Sequence, residues 1–161
     1  MEPRFDMFQN EFGVKFTKRF AGAGLLVQQS PLSRAMLELV SLRVSQINGC
    51  GWCVDMHTQE AAAAGESATR INLVAAWRET TVFTEAEQAA LAFAEEGTRL
   101  ADAYTGVSDD TWSQVRKHYD DDEIAALVSL VALVNAANRL AVTVHHKGGS
   151  YEPGMLDAMT N

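Results

Sequence analysis

The sequence predicts an all-α protein. Apolar residues recur at three- and four-residue intervals along most of the chain, glycines and the three prolines fall near the ends of those periodic segments, and strand-like alternation of useful length is missing. The first periodic feature is aromatic: Phe8, Phe12, Phe16 and Phe20 recur every four residues and form an apolar stripe. That stripe either covers the core of one chain or meets a second copy, and periodicity alone does not choose between the two.

The elements that follow are marked by their ends. Ser33, two residues after Pro31, is placed to cap a helix whose apolar residues Met36, Leu37, Val40, Val44 and Ile47 lead to a stop at Asn48-Gly49. A second helix should begin at Cys50 or just before it and run through Ala61 to Ala64, with Gly65 as a left-handed terminator. A third, short helix runs from Ser67 to Trp77. Thr84 stands three residues before Glu87, a capping-box spacing, and opens a fourth helix carrying Ala90, Leu91, Phe93 and Ala94 on one side. A further helix starts at Ser108 and ends near Tyr119. The last, Ile124 to about His146, follows an acidic run at Asp120 to Glu123 that favours the helix dipole, and it is apolar almost all round. Such a helix belongs in a core or in a subunit interface. Asn135, Asn138 and Arg139 interrupt it, and a buried amide there must find partners.

With 161 residues, the chain has the length of one domain and one sizeable core. Its formal net charge of −8 and its 13 scattered basic residues exclude a broad nucleic-acid footprint and disfavour an anionic membrane surface. Charged residues among the first twenty replace the apolar core of a secretory signal, and no uninterrupted apolar run reaches the roughly 18 residues of a membrane span. A cytoplasmic protein is expected.

Chemistry concentrates in "NGCGWCVDMHTQEA", which holds Cys50 and Cys53, the only two cysteines, and His57. On a helix these three positions share one narrow face. A thiol in the first turn gains from the helix dipole, and one beside an imidazole can lose its proton to it, so the arrangement favours a thiolate. His57, one turn beyond Cys53, is better placed for Cys53 than for Cys50. A thiolate that attacks a peroxide oxygen becomes a sulfenic acid, and a second thiol three residues away on a helix can condense with it. Two buried cysteines acting as small hydrophobes, or a zinc site completed by His118, His145 or His146, are the competing readings. No second C-x-x-C or H-x-x-x-H supplies the usual zinc spacing. Asp55 and Thr58 flank the motif and either orient the His57 ring or face solvent. Trp52, Met56 and Trp77 are candidate apolar walls, and equally candidate core residues.

Glu38, eleven residues before Cys50, would by itself read as a surface carboxylate on an amphipathic helix. Together, however, Glu38, Cys50, Cys53 and His57 match at every interval the signature of the alkylhydroperoxidase D (AhpD)-like branch of the carboxymuconolactone decarboxylase superfamily. "SQINGCGWCVDMHT", "AAWRET" and "NAANRLAV" also resemble stretches of one subgroup, so the likeness spans roughly Ser33 to Val144. The resemblance implies an AhpD-like helical fold assembled as a homo-oligomer, commonly a trimer or hexamer, and a thiol-dependent peroxidase needing no bound cofactor or metal. It implies a hydroperoxide substrate, a thiol or dithiol reductant, Glu38 and His57 as a proton relay, Cys53 as the peroxidatic thiol and Cys50 as the resolving one. Some members carry a histidine between the cysteines, where this chain has Trp52. The alternatives are a disulfide reductase that passes electrons to a partner peroxidase, a zinc-binding module, and a lactone decarboxylase, whose lineage typically lacks the C-x-x-C.

Overall fold

The computed structural model describes residues 3–102 and 106–155, and every regular element among them is helical. In chain order these are α1 (Glu11–Gln28), α2 (Arg34–Asn48), α3 (Gly51–Ala63), α4 (Ala68–Leu73), a 3₁₀ segment (Val74–Glu79), α5 (Glu85–Thr98), α6 (Asp109–His118) and α7 (Asp121–Thr143). The all-α prediction holds.

Sequence-marked caps start the helices. Ser33, Ser67 and Ser108 each accept a backbone N–H three residues on, and Thr84 with Glu87 forms the reciprocal capping box that its spacing predicts. Asp120 and Glu123 form a second box, so α7 begins at Asp121, three residues before the apolar run. It also ends earlier than expected. His145 adopts φ of 58°, and the His146 amide returns to the Ala141 carbonyl at 2.9 Å, closing the helix and turning His146 out of it. The short helix expected from Ser67 to Trp77 is likewise divided. Regular α structure stops at Leu73, and Ala76, at φ −124°, bends the 3₁₀ segment that brings Trp77 into the core.

α2 lies at the centre because nearly every side of it is apolar or partnered. Met36, Leu37, Val40 and Val44 join a cluster with Ala90, Phe93 and Ala94 of α5, Val115 of α6, and Leu127 and Val131 of α7. Leu39 and Leu42 point the other way, into a cluster with Ala61, Ile71, Val74, Trp77 and Leu91. α2 is thereby gripped from both sides, which fixes any side chain projecting from it.

Polar residues on α7 complete the grip. Asn138, with no exposed surface, accepts from Asn48 Nδ2 at 2.9 Å and donates to Ser45 Oγ at 3.1 Å. Asn135 also accepts from Asn48, at 2.9 Å, and donates to Thr98 Oγ1 and the Val131 carbonyl. The buried amides do find partners, and they tie the C-terminal end of α2 to α7 two residues before Cys50. Truncating Asn138 to alanine should therefore cost about 2 to 3 kcal/mol, the combined cost of a small cavity and of orphaning buried polar groups, as measured by urea unfolding.

α7 is also long and apolar enough to span a bilayer by composition, with mean hydropathy 1.7. Its packing against α1, α2, α3 and α5 is that of a core helix. The N-terminal stripe behaves differently. Phe12 and Leu26 are 74% and 72% exposed on α1, with Phe8, Phe16 and Leu25 also open, so the stripe does not serve chiefly to cover the core of one chain.

Candidate active site

The site begins with a backbone turn. Gly49 takes a left-handed φ of 66°, its amide bonds the Gln46 carbonyl, and the Cys50 amide reaches back to the Ser45 carbonyl at 3.1 Å. Cys50 thus closes α2 and caps α3, its Sγ accepting from the Cys53 amide at 3.3 Å. Cys53 falls in the first turn of α3, with its Cα 5.3 Å from that of Cys50, and the two sulfurs are bonded to each other. Both residues are nearly inaccessible, at 1% and 3% exposed.

One turn along α3, His57 Nδ1 lies 2.8 Å from Glu38 Oε2. Glu38 is not the surface carboxylate its helix position suggests. It is 5% exposed, held where the packed face of α2 meets α3. Its other oxygen, Oε1, is 2.8 Å from Arg34 Nε, and the Arg34 guanidinium extends to Glu60 on α3 at 3.1 Å. A carboxylate accepting from Nδ1 fixes the tautomer that leaves Nε2 as the basic nitrogen. The structure thus gathers Glu38, Cys50, Cys53 and His57 around the α2–α3 junction, and adds Arg34, whose four-residue spacing from Glu38 is the signal for it in the sequence.

Asp55 does not orient His57. It accepts the backbone amides of Gly149, at 2.6 Å, and Tyr151, at 3.0 Å, and so holds the C-terminal segment along α3. Glu60 continues the attachment, accepting the Tyr151 hydroxyl at 2.6 Å and the Gly154 amide at 2.8 Å. The His146 ring packs 4.2 Å from that of Trp52, between the cysteines, and Tyr151 meets the same indole edge-on at 5.7 Å. A Cβ on Gly148 would lie 2.3 Å from the Gly51 carbonyl oxygen, so only glycine permits this approach. Trp52 is therefore a wall covered by the chain itself. Trp77 is a core residue whose Nε1 donates to Glu95 at 3.1 Å. Among the described residues, no three His, Cys, Asp or Glu side chains are grouped to hold a metal ion.

This C-terminal segment, a strap laid along α3, is expected to release in acid. Hydrogen bonds from Gly149 and Tyr151 lower the Asp55 carboxyl. Burial pushes Glu60 up, but bonds from Tyr151 and Gly154 and the charge of Arg34 leave it below its ordinary value. Carboxyls lowered in the folded state contribute fully above the ordinary range, about pH 4, and their contribution fades as pH falls through the lowered values. The protection of the Gly149 and Tyr151 amides, taken relative to the intrinsic exchange rate at each pH, should be lost below about pH 4 and retained near neutrality. Unchanged protection across that interval would show that the strap is held by other contacts.

The carboxymuconolactone decarboxylase family model matches residues 14–96, just over half of the chain, including all four candidate residues. The chain belongs to the carboxymuconolactone decarboxylase family. YdfG, an uncharacterised protein of Bacillus subtilis, is 36% identical over 123 residues, covering 76% of this chain and 82% of its own. A crystal structure from Agrobacterium tumefaciens, described as a protein of unknown function and a candidate antioxidant defence protein AhpD, superposes with a TM-score of 0.86 at 33% identity. It covers 93% of this chain and all of its own. An alkyl hydroperoxide reductase AhpD of Rhodopseudomonas palustris is 42% identical over 69 residues, a stretch that spans 40% of this chain and 38% of that protein. Within the carboxymuconolactone decarboxylase family this is an AhpD-like chain with the AhpD-like fold.

Proposed function

We propose that this AhpD-like protein is a thiol-dependent peroxidase that reduces organic hydroperoxides through a Cys50–Cys53 dithiol cycle. The observation that carries the reading is the hydrogen-bonded Glu38–His57 pair, one helical turn from a cysteine bonded to its neighbour. A buried cysteine that served only as a small hydrophobe would need neither a paired imidazole nor a second thiol.

The cycle starts from the reduced protein. His57 Nε2 takes the Cys53 proton, and Glu38 stabilises the imidazolium through Nδ1. The Cys53 thiolate attacks the terminal oxygen of the hydroperoxide; the O–O bond breaks, and the alkoxide takes a proton from His57 and leaves as an alcohol. Cys53 sulfenic acid then condenses with the Cys50 thiol, releasing water and forming the disulfide. An external thiol or dithiol restores both thiols by exchange. No bound cofactor enters this sequence, and the cytoplasm provides the reductant.

The competing reading, a disulfide reductase that serves a partner peroxidase, uses the same dithiol. Second-order rates of the reduced protein with cumene hydroperoxide and with a small aromatic disulfide separate the two. Faster reaction with the hydroperoxide supports the peroxidase; oxidation by the disulfide alone supports the reductase.

Assembly into a homo-oligomer, as a trimer or hexamer, belongs to the same reading and is supported by the open aromatic and leucine side chains of α1. A Phe12→Glu, Leu26→Glu variant is expected to run as a monomer in size-exclusion chromatography with light scattering, while the unaltered protein runs as the oligomer.

A further inference from the structure

We propose that Arg34 is a positioning residue for the relay: it locks the Glu38 carboxylate in the one orientation that serves His57. The inference rests on the peroxidase reading of the site and adds a residue to it.

Arg34 opens α2, where a cation meets the positive end of the helix dipole. The helix dipole therefore gives no reason for an arginine at this position. Its contacts do. Nε is 2.8 Å from Glu38 Oε1 and the guanidinium is 3.1 Å from Glu60 Oε2, so one planar group joins the relay carboxylate on α2 to a carboxylate on α3. Arg34 is about half open to water while Glu38 is almost closed off, so the cation keeps much of its hydration and its attraction for Glu38 is correspondingly modest.

The value of the contact is geometric. With Oε1 committed to Arg34, Glu38 presents Oε2 alone to His57 Nδ1. Without it, the carboxyl group can rotate about its last bond, and a buried anion is left facing a neutral imidazole for the part of the cycle before Cys53 gives up its proton. Arg34 thus acts on Cys53 only through Glu38 and His57.

That dependence makes the proposal testable by a double-mutant cycle. Arg34→Gln, Glu38→Gln and the double variant are compared with the unaltered protein by two readouts: the single-turnover rate of disulfide formation with cumene hydroperoxide, and the rate of iodoacetamide labelling at Cys53 followed by peptide mass. Arg34→Gln is expected to slow both by roughly tenfold in the native background and by less than about twofold when Glu38 is already glutamine. Arg34→Lys, which keeps the charge but not the fork, should recover part of the loss. An equal slowing in both backgrounds, or none in the native one, overturns the proposal. The readouts also separate two failures. Slow peroxide turnover with the labelling cycle intact overturns the peroxidase reading and leaves Arg34 in its role; fast turnover with additive effects does the reverse.

Discussion

Replacing Cys53 by serine is expected to reduce hydroperoxide turnover to below about a thousandth of the unaltered rate, because the thiol that remains, Cys50, lies two helical turns rather than one from His57. Cys53 is buried in the first turn of α3 and has His57 one turn away, whereas Cys50 caps the helix with its sulfur already accepting the Cys53 amide. The companion variant, Cys50→Ser, should behave differently. On the proposed cycle it keeps the attacking thiol and loses the resolving one, so it should consume one equivalent of hydroperoxide and stop as a sulfenic acid at Cys53. Trapping with a sulfenate-specific dione and peptide mass reads this directly. A dione adduct formed at Cys50 in the Cys53→Ser protein, at the rate of the unaltered protein, would exchange the roles of the two thiols.

The second large effect is expected at Glu38. Glu38→Gln keeps the size of the side chain and an oxygen to accept from His57 Nδ1, but removes the charge that, in the proposed cycle, stabilises the imidazolium formed when Cys53 ionises. The single-turnover rate should fall by about a hundredfold, within the usual range for loss of general-base assistance. Thermal stability should change little, because Arg34 keeps Glu60 and the surrounding apolar packing of α2 is untouched. A large loss of stability accompanying the loss of rate would instead make Glu38 a structural anchor whose chemical role is indirect.

The division between what the sequence discloses and what it hides follows from distance along the chain. Ser33, Thr84, Ser108 and the Asp120 run act within three residues of themselves, so the helix starts were legible. The Gly49 turn and the register of Cys50, Cys53 and His57 on α3 are local in the same sense. Glu38 was found through its interval to the cysteines, yet its burial was not, since that depends on α2 being packed on both sides. Contacts across long separations stayed hidden. Asn48 meets Asn135 and Asn138 across 87 and 90 residues, and Asp55 meets Gly149 and Tyr151 across 94 and 96. The early end of α7 is not legible for another reason: histidine, not glycine, takes the left-handed position at 145, and no composition rule marks that.

The strap has a consequence for access. Trp52, His146 and Tyr151 close one side of the C-x-x-C turn, and the sulfurs themselves are almost without exposed surface. On the peroxidase reading, substrate and reductant therefore need local opening to reach the sulfurs.

The measurement that bears most directly on the peroxidase cycle is a mass balance. Fully reduced, metal-free protein is mixed with one equivalent of cumene hydroperoxide, quenched by alkylation, and assayed for intact mass and for the alcohol. One Cys50–Cys53 disulfide and one molecule of alcohol per hydroperoxide consumed is the predicted result. Two free, fully alkylated thiols in the presence of unreacted hydroperoxide would contradict it.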